Sequence, residues 1–412
     1  MPLRAPPPRT MLPLSLPPLL DTDLVQRVLA AGLRGRGGGW FPAGRKWLAV
    51  RAEGGEPFVV ANGAEGEPGS IKDRFVMLTR PDQVVEGLAL AARAVGAKDA
   101  VLYLKGSFAG PAQALSGALA RAGIEEPRIA IRRGEEGYIA GEETAILETL
   151  EGRRAWPRPK PPLPACVGFE GRPTLVQNVE TLSRVPSAIS DPKAFATEES
   201  TLLSLWGHVR RPGVYEVRLG TPLARVIEEC GEGAPDGVGL LFPGGPSASP
   251  LLPEEARLPL DPDVLREAGS GLGTASFLVL GRGVCPIAAG VSLATFFERE
   301  SCAQCPPCSV GTANLARLVR GIETGTSRAG DLQALGETAG FMSAHGYCAH
   351  GRTGAASVTG LVSRFRKDVD EHVAARGCPR GGPPSDPFGD DSPEQRAIEA
   401  ALLHATLRPN LP

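Results

Sequence analysis

The segment CAQCPPC sets three cysteines, Cys302, Cys305 and Cys308, two residues apart around a tight turn containing two prolines. One loop of this kind ligates three corners of a cubane, so the spacing favours a [4Fe-4S] cluster over a structural zinc ion. A fourth thiolate is then required, and Cys348, in HGYCAHG, supplies it if the flanking helices fold back on one another. The neighbouring His345 and His350 read as solvated loop or supporting donors rather than ligands. Cys166, Cys230, Cys285 and Cys378 lack ligand spacing and read as small core or surface residues.

A second candidate is GLRGRGGGWFPAGRKW, from Gly32 to Trp47, in which glycines alternate with the cations Arg34, Arg36, Arg45 and Lys46. Glycine lets main-chain N–H groups approach a phosphate or a flat ring, and the cations suit an anionic guest. The dinucleotide fingerprint GxGxxG does not fit: Trp40 occupies its third glycine position, and the preceding DLVQRVLAAGL reads as a helix. Taken alone, the stretch is equally compatible with a glycine-rich connection and with a phosphate cradle.

Two acidic clusters complete the set: NGAEGEPGSIKDR after the apolar run PFVVA, and GEET at the start of a helix. Glu142 and Glu143 can be plain helix-capping residues, since the N-terminal end of a helix stabilises carboxylates. Together with Asn62, Glu65, Glu67 and Asn178 they are acceptors and amides suited to ribose hydroxyls and a flavin edge, and the acids disfavour a 2′-phosphate. NADH is therefore expected over NADPH.

Strand-like runs alternate with helical patterns through the first half, implying an α/β layer with a mostly parallel sheet. After about residue 198 short strands around WGHVRRPGVYEV and FPGG suit a compact α+β module. From about residue 286 four helical segments follow, and the last carries Val358, Leu361, Val362, Phe365, Val369 and Val373 as an apolar stripe. The chain has 412 residues and a net charge of -2, which gives no footprint for nucleic acid. The proline-rich start breaks any signal-peptide helix, and no apolar run is long enough to span a membrane. A cytoplasmic protein is expected, or one peripheral to a membrane through partner subunits.

These motifs, with YIAGEETAILETLEGRRAWPRPKPPLPA, PTLVQNVETL and GHVRRPGVYEV, occur in one order over residues 22 to 375. In this the chain resembles the NADH-binding flavoprotein subunit of respiratory complex I and its relatives in NAD-linked hydrogenases and formate dehydrogenases. The resemblance implies a Rossmann-like FMN/NADH domain over 22–198, a ubiquitin-like (SLBB-type) domain over 199–285 and a four-helix [4Fe-4S] domain over 286–375. A flexible arm over 1–21 and a tail over 376–412, disordered apart from a short helix near EQRAIEAALLHA, flank them.

By the same resemblance Gly35, Gly37, Gly38, Lys46, Asn62, Gly141 and Asn178 contact FMN. Phe41, Glu67, Glu143 and Lys160 contact NADH, while Glu65 and Glu142 line the shared pocket and Cys302, Cys305, Cys308 and Cys348 hold the cluster. The implied activity is NADH:acceptor oxidoreduction, with electrons passing from flavin to cluster and on to a thioredoxin-like or ferredoxin-like iron-sulfur partner or a quinone-linked complex. The alternative is an FMN/[4Fe-4S] electron-transfer protein that has lost NADH and serves protein partners only. The departures bear on this choice. Ala64 and Gln177 stand where the family usually has Asp and Asn, and Ala49 and Leu163 where aromatics flank adenine. Ala61 and Ala140 replace cysteines near the flavin, and Trp40 replaces a glycine.

Overall fold

The computed structural model describes residues 21–381 and 385–407, apart from the side chains of 21, 22 and 404–407. Two compact units emerge, one of residues 21–66 and 71–202, the other of 67–70 and 203–402. The expected arm over 1–21 lies outside the described residues except for its last position.

The first unit begins with α1 (Asp21–Ala30) and α2 (Ala43–Ala52), joined by the glycine-rich loop. Then come β1 (Phe58–Gly63), α3 (Lys72–Thr79), α4 (Pro81–Val95), β2 (Asp99–Lys105), α5 (Ala109–Ala122), β3 (Arg128–Gly134) and α6 (Glu143–Leu150). It ends with β4 (Thr174–Asn178), α7 (Val179–Ser190) and α8 (Pro192–Thr197). The apolar runs of β1, β2 and β4 are buried almost throughout, as strands covered on both faces require. All pairings are parallel, in the order β3-β2-β1-β4. Strands are added outward from β1 to β3, after which the chain returns to lay β4 on the other side of β1. That reversal makes the β1/β4 boundary a topological switch point, where the carboxyl ends of two strands leave a crevice. Asn62 and Asn178 are register partners there.

The second sheet has the order β6-β5-β8-β7. It comprises β5 (Ser200–Gly207), β6 (Gly213–Arg218), β7 (Val238–Phe242) and β8 (Ser276–Gly281), with α9 (Leu223–Glu229) and α10 (Pro262–Glu267) between strands. β5 and β8 are parallel and β7 is antiparallel to β8, around a core that buries Trp206, Phe242 and Phe277.

Helices α11 (Pro286–Arg299), α12 (Pro306–Glu323), α13 (Asp331–His345) and α14 (Ala349–Arg364) follow. The last expected helix is broken at Phe365 and continues as α15 (Arg366–Ala375). Its stripe is buried as far as Val369, whereas Val373 is exposed. The described part of the tail expected to be disordered is packed instead. Phe388 is fully buried edge-on against Trp206 and Phe242, and α16 (Pro393–Leu407) follows with Ile398 buried. One aromatic in a Pro- and Gly-rich segment anchors it where composition alone reads as disorder. Among the described residues no helix is long and apolar enough to cross a membrane.

Candidate functional site

At the switch point the sequence-predicted residues of the first unit come together. The glycine loop leads into the N-terminus of α2 and runs against the end of β4. A Cβ built on Gly37 would stand 3.2 Å from the Asn178 Cβ, and Gly38 has φ 111, a conformation reserved for glycine. Gly35 is held by its N–H donating to the Phe41 carbonyl (2.9 Å). Beneath it, the buried Gln177 Oε1 has no hydrogen-bond partner among the described residues.

Both asparagines are fixed by the fold. Asn62 Nδ2 donates to the Gly141 carbonyl (3.0 Å) while its Oδ1 accepts from Ala64 N (3.0 Å). Asn178 caps α7, accepting from Glu180 N and Thr181 N, and its Nδ2 donates to Asp73 Oδ2 (2.7 Å). Under Asn178 lies a buried ionic group: Lys72 Nζ sits 2.7 Å from Asp73 and 3.0 Å from Glu180. Burial pushes the Asp73 carboxyl up to about 7, against the pull of Lys72. Burial also works against ionised Glu180, but Lys72, Arg184 and Arg36 outweigh it and hold the carboxyl down at about 2.

At the rim are two lysines and two glutamates. Lys46 Nζ is 2.9 Å from Glu143, and Lys160 Nζ is 2.7 Å from both Glu142 and Glu143. Burial alone would raise the Glu143 carboxyl, yet the two ammonium groups bring it down to about 2. Glu142 also caps α6, accepting from Thr144 N and Ala145 N, so the capping role open to it in sequence is occupied. Glu65 is engaged similarly, accepting from Asp73 N, Arg74 N and Arg74 Nε at the start of α3. Phe41 is exposed, as is Leu163, and Ala49 is also at the surface. Glu67 belongs to the second unit, where it accepts from Ser247 N (3.1 Å).

One expectation is corrected. Arg36 does not face a guest: its guanidinium is fully buried and donates to the Arg34 carbonyl, Glu199 and the Ser200 carbonyl. Its position in a glycine-rich run says nothing of which way the side chain leaves the loop. Trp40 is buried with φ 52, its ring under the Arg36 guanidinium at 4.3 Å. The loop requires a left-handed residue there, which accounts for the glycine the resemblance implies.

In the second unit Cys305 and Cys348 occupy the N-cap positions of α12 and α14, and Cys308 lies in the first turn of α12. Helix N-termini favour thiolates. The two termini converge, since a Cβ on Gly351 would lie 3.7 Å from Cys308 Sγ. Cys305, Cys308 and Cys348 are buried and Cys302 is half-buried. Among the described residues no three of these sulfurs lie within 4.8 Å of one another. Neither nearby histidine competes: His350 Nε2 donates to the Phe297 carbonyl (2.9 Å), and His345 rests on the Phe341 ring.

Comparison with known proteins gives three matches along the chain. Residues 28–187 match the Nuo51 FMN-binding domain, 204–249 the SLBB domain, and 289–372 the iron-sulfur binding region of NADH-ubiquinone oxidoreductase F. The chain is 37% identical to an NADH-quinone oxidoreductase F subunit of Rhizobium meliloti, the F 2 form, over 380 residues, covering 87% of this chain and 90% of that protein. It is 36% identical to the corresponding F subunit of Streptomyces coelicolor, with 87% and 84% covered. Among solved structures it is similar to a chain of an NAD+-reducing [NiFe]-hydrogenase in the H2-reduced state, at 31% identity and a TM-score of 0.79. That match covers 87% of this chain and 63% of the hydrogenase chain. The glycine cradle at the β1/β4 switch point, the cysteines gathered at two helix N-termini and this identity with F subunits over most of both chains lead to one conclusion: the chain belongs to the family of the F subunit of NADH-quinone oxidoreductase.

Proposed function

We propose that the chain is an NADH:acceptor oxidoreductase subunit that binds FMN at the β1/β4 switch point and a [4Fe-4S] cluster at Cys302, Cys305, Cys308 and Cys348. The observation that carries the reading is the pairing of Asn62 with Asn178 under the glycine loop, at the place where a parallel sheet offers its ligand crevice. When bound, FMN accepts a hydride from NADH and releases electrons singly, so no side chain has to act as nucleophile or general acid. The N–H groups of Gly37 and Gly38 bind the phosphate end, those of Gly35 and Arg36 being engaged by the Phe41 carbonyl and Thr181 Oγ1, and Gly141, held by Asn62, sets one wall of the pocket. Lys46, Lys160, Glu142 and Glu143 form a neutral rim that positions nucleotide hydroxyls and phosphates.

The division into a Rossmann-like flavin domain, a ubiquitin-like domain and a helical cluster domain is supported by three separate family matches and by the β6-β5-β8-β7 order. With a single cysteine-rich motif in the chain, electrons leave to a thioredoxin-like or ferredoxin-like iron-sulfur partner, and any membrane attachment is through such subunits. One observation favours the second reading, exchange with protein partners alone: Ala49 and Leu163 are surface residues that offer adenine no aromatic plane. Adding NADH to anaerobically purified, reconstituted protein decides between the two. Bleaching of the flavin bands is expected; bands unmoved by NADH but bleached by dithionite would establish the second reading.

A further inference from the structure

Outside both sites, four more ligating side chains converge in the second unit. Cys285 is the N-cap residue of α11, Glu323 the last residue of α12 and His372 a buried residue of α15. Cys378 lies two residues beyond Arg376, whose left-handed conformation (φ 55) ends α15 and turns the chain back. Their ligand atoms all lie within 4.8 Å of one another. His372 Nε2 is 3.2 Å from Cys285 Sγ and 3.1 Å from Glu323 Oε2, and Cys285 Sγ is 3.7 Å from Glu323 Oε2. The edges of a tetrahedral zinc site with S, N and O ligands are about 3.3 to 3.8 Å.

We propose that Cys285, Glu323, His372 and Cys378 bind one zinc ion, which ties the start of the helical bundle to its last helix and to the segment beyond. The histidine tautomer is set for this role. Nδ1 lies 2.6 Å from the Asp368 carbonyl, which can only accept, so the ring proton is on Nδ1 and the Nε2 lone pair faces the thiol and carboxylate. The three do not form a cysteine–histidine–carboxylate triad, which needs nucleophile and carboxylate on opposite ring nitrogens, whereas Cys285 and Glu323 both face Nε2.

The surrounding contacts hold the ligand-bearing segments together. Arg380 donates to the Arg282 and Val284 carbonyls just before Cys285 and to Asp368 on α15, and Gly377 N–H donates to the His372 carbonyl. Zinc binding displaces the two thiol protons to solvent, leaving two thiolates, a carboxylate and a neutral imidazole on the ion. The zinc site shares no ligand with the flavin or cluster sites and stands independently of both assignments.

The test is metal analysis of the anaerobically purified full-length chain, with X-ray absorption at the zinc edge, where iron and flavin do not interfere. About one zinc per chain is expected, with two sulfurs near about 2.3 Å and two nitrogen or oxygen neighbours near about 2.0–2.2 Å. Cys378→Ala should reduce zinc to less than about a tenth of that while iron stays at about four per chain, and Glu323→Gln should make zinc about tenfold easier to remove by a chelator. Both substitutions fall at half-exposed positions, and retained iron reports that the bundle has folded. If Cys378→Ala does not fold, the ligand shell of the unmodified protein still decides. Four outcomes would overturn the proposal: no stoichiometric zinc, an all-sulfur shell, zinc unmoved by Cys378→Ala, or an intact mass showing a Cys285–Cys378 disulfide.

Discussion

Trp40→Gly probes the flavin loop directly, and its effects on stability and on nucleotide binding should separate. At φ 52 the tryptophan holds a backbone conformation that costs a side-chain-bearing residue about 1–2 kcal/mol, which glycine would recover. Against this stands an indole only 3% exposed, whose removal leaves a cavity worth about 3–5 kcal/mol, and a cation–π contact with buried Arg36 worth about 1–2 kcal/mol. Glycine adds about 0.5–1 kcal/mol of lost backbone entropy. Burial wins, and the variant should be destabilised by about 3–7 kcal/mol, lowering the melting temperature by about 10 °C or more in a unit of this size. Because the ring lies against Arg36, inside the loop, the dissociation constant for NADH should change by less than about twofold. Thermal unfolding followed by circular dichroism, with NADH titration well below the melting point, measures both. A variant at least as stable as the parent, or NADH affinity changed more than about tenfold, would refute the view of Trp40 as a strained internal anchor.

Cys348→Ala should abolish or destabilise the [4Fe-4S] cluster while Cys230→Ala leaves it intact, measured as iron per chain; stoichiometric zinc with negligible iron at the CxxCxxC segment would refute the assignment. Glu143→Gln turns the neutral rim into one with net positive charge, so the ratio of kcat/KM for NADH over NADPH should fall severalfold, and an unchanged ratio removes Glu143 from nucleotide selection. The Glu143 carboxyl is held near 2 instead of 4.5, so its ion pairs stabilise the fold fully above 4.5 and are lost as pH falls toward 2, a contribution of about 3 kcal/mol. Acid unfolding should therefore be shallower in Glu143→Gln over that window, and parallel curves would refute the ion-pair role. Phe388→Ala should cost about 3–5 kcal/mol by opening a cavity against Trp206 and Phe242, and a loss below about 1 kcal/mol would show the tail to be dispensable.

What the sequence reveals depends on how far apart a site's parts lie along the chain. The three cysteines of CAQCPPC advertise a cluster because one loop carries them, and Asn62 is legible because it ends the apolar run PFVVA, which reads as a strand. Sequence cannot show where a side chain points once the backbone turns. Arg36 and Lys46 look alike as cations near glycines, yet one is sealed against Glu199 and the other reaches Glu143 at the rim. Trp40 likewise stands out in sequence, but only the sign of φ explains why glycine suits its position.

Glu142 and Glu65 mark a finer limit. Capping and ligand binding look like competing readings of an acid at a helix start, yet Glu142 does one job with each oxygen: Oε2 caps α6 and Oε1 holds Lys160. The cap fixes the carboxylate, the carboxylate fixes the lysine, and the lysine is thereby presented to the rim without the entropy loss a free side chain would suffer on binding. Cys285, Glu323, His372 and Cys378 lie at the far end of the scale. Each comes from a different element and no two share a motif spacing, so it is the packing of α11, α12 and α15 and the turn at Arg376 that bring them together. Contiguous ligands can be read before folding is known, whereas ligands assembled by tertiary packing become visible only with it.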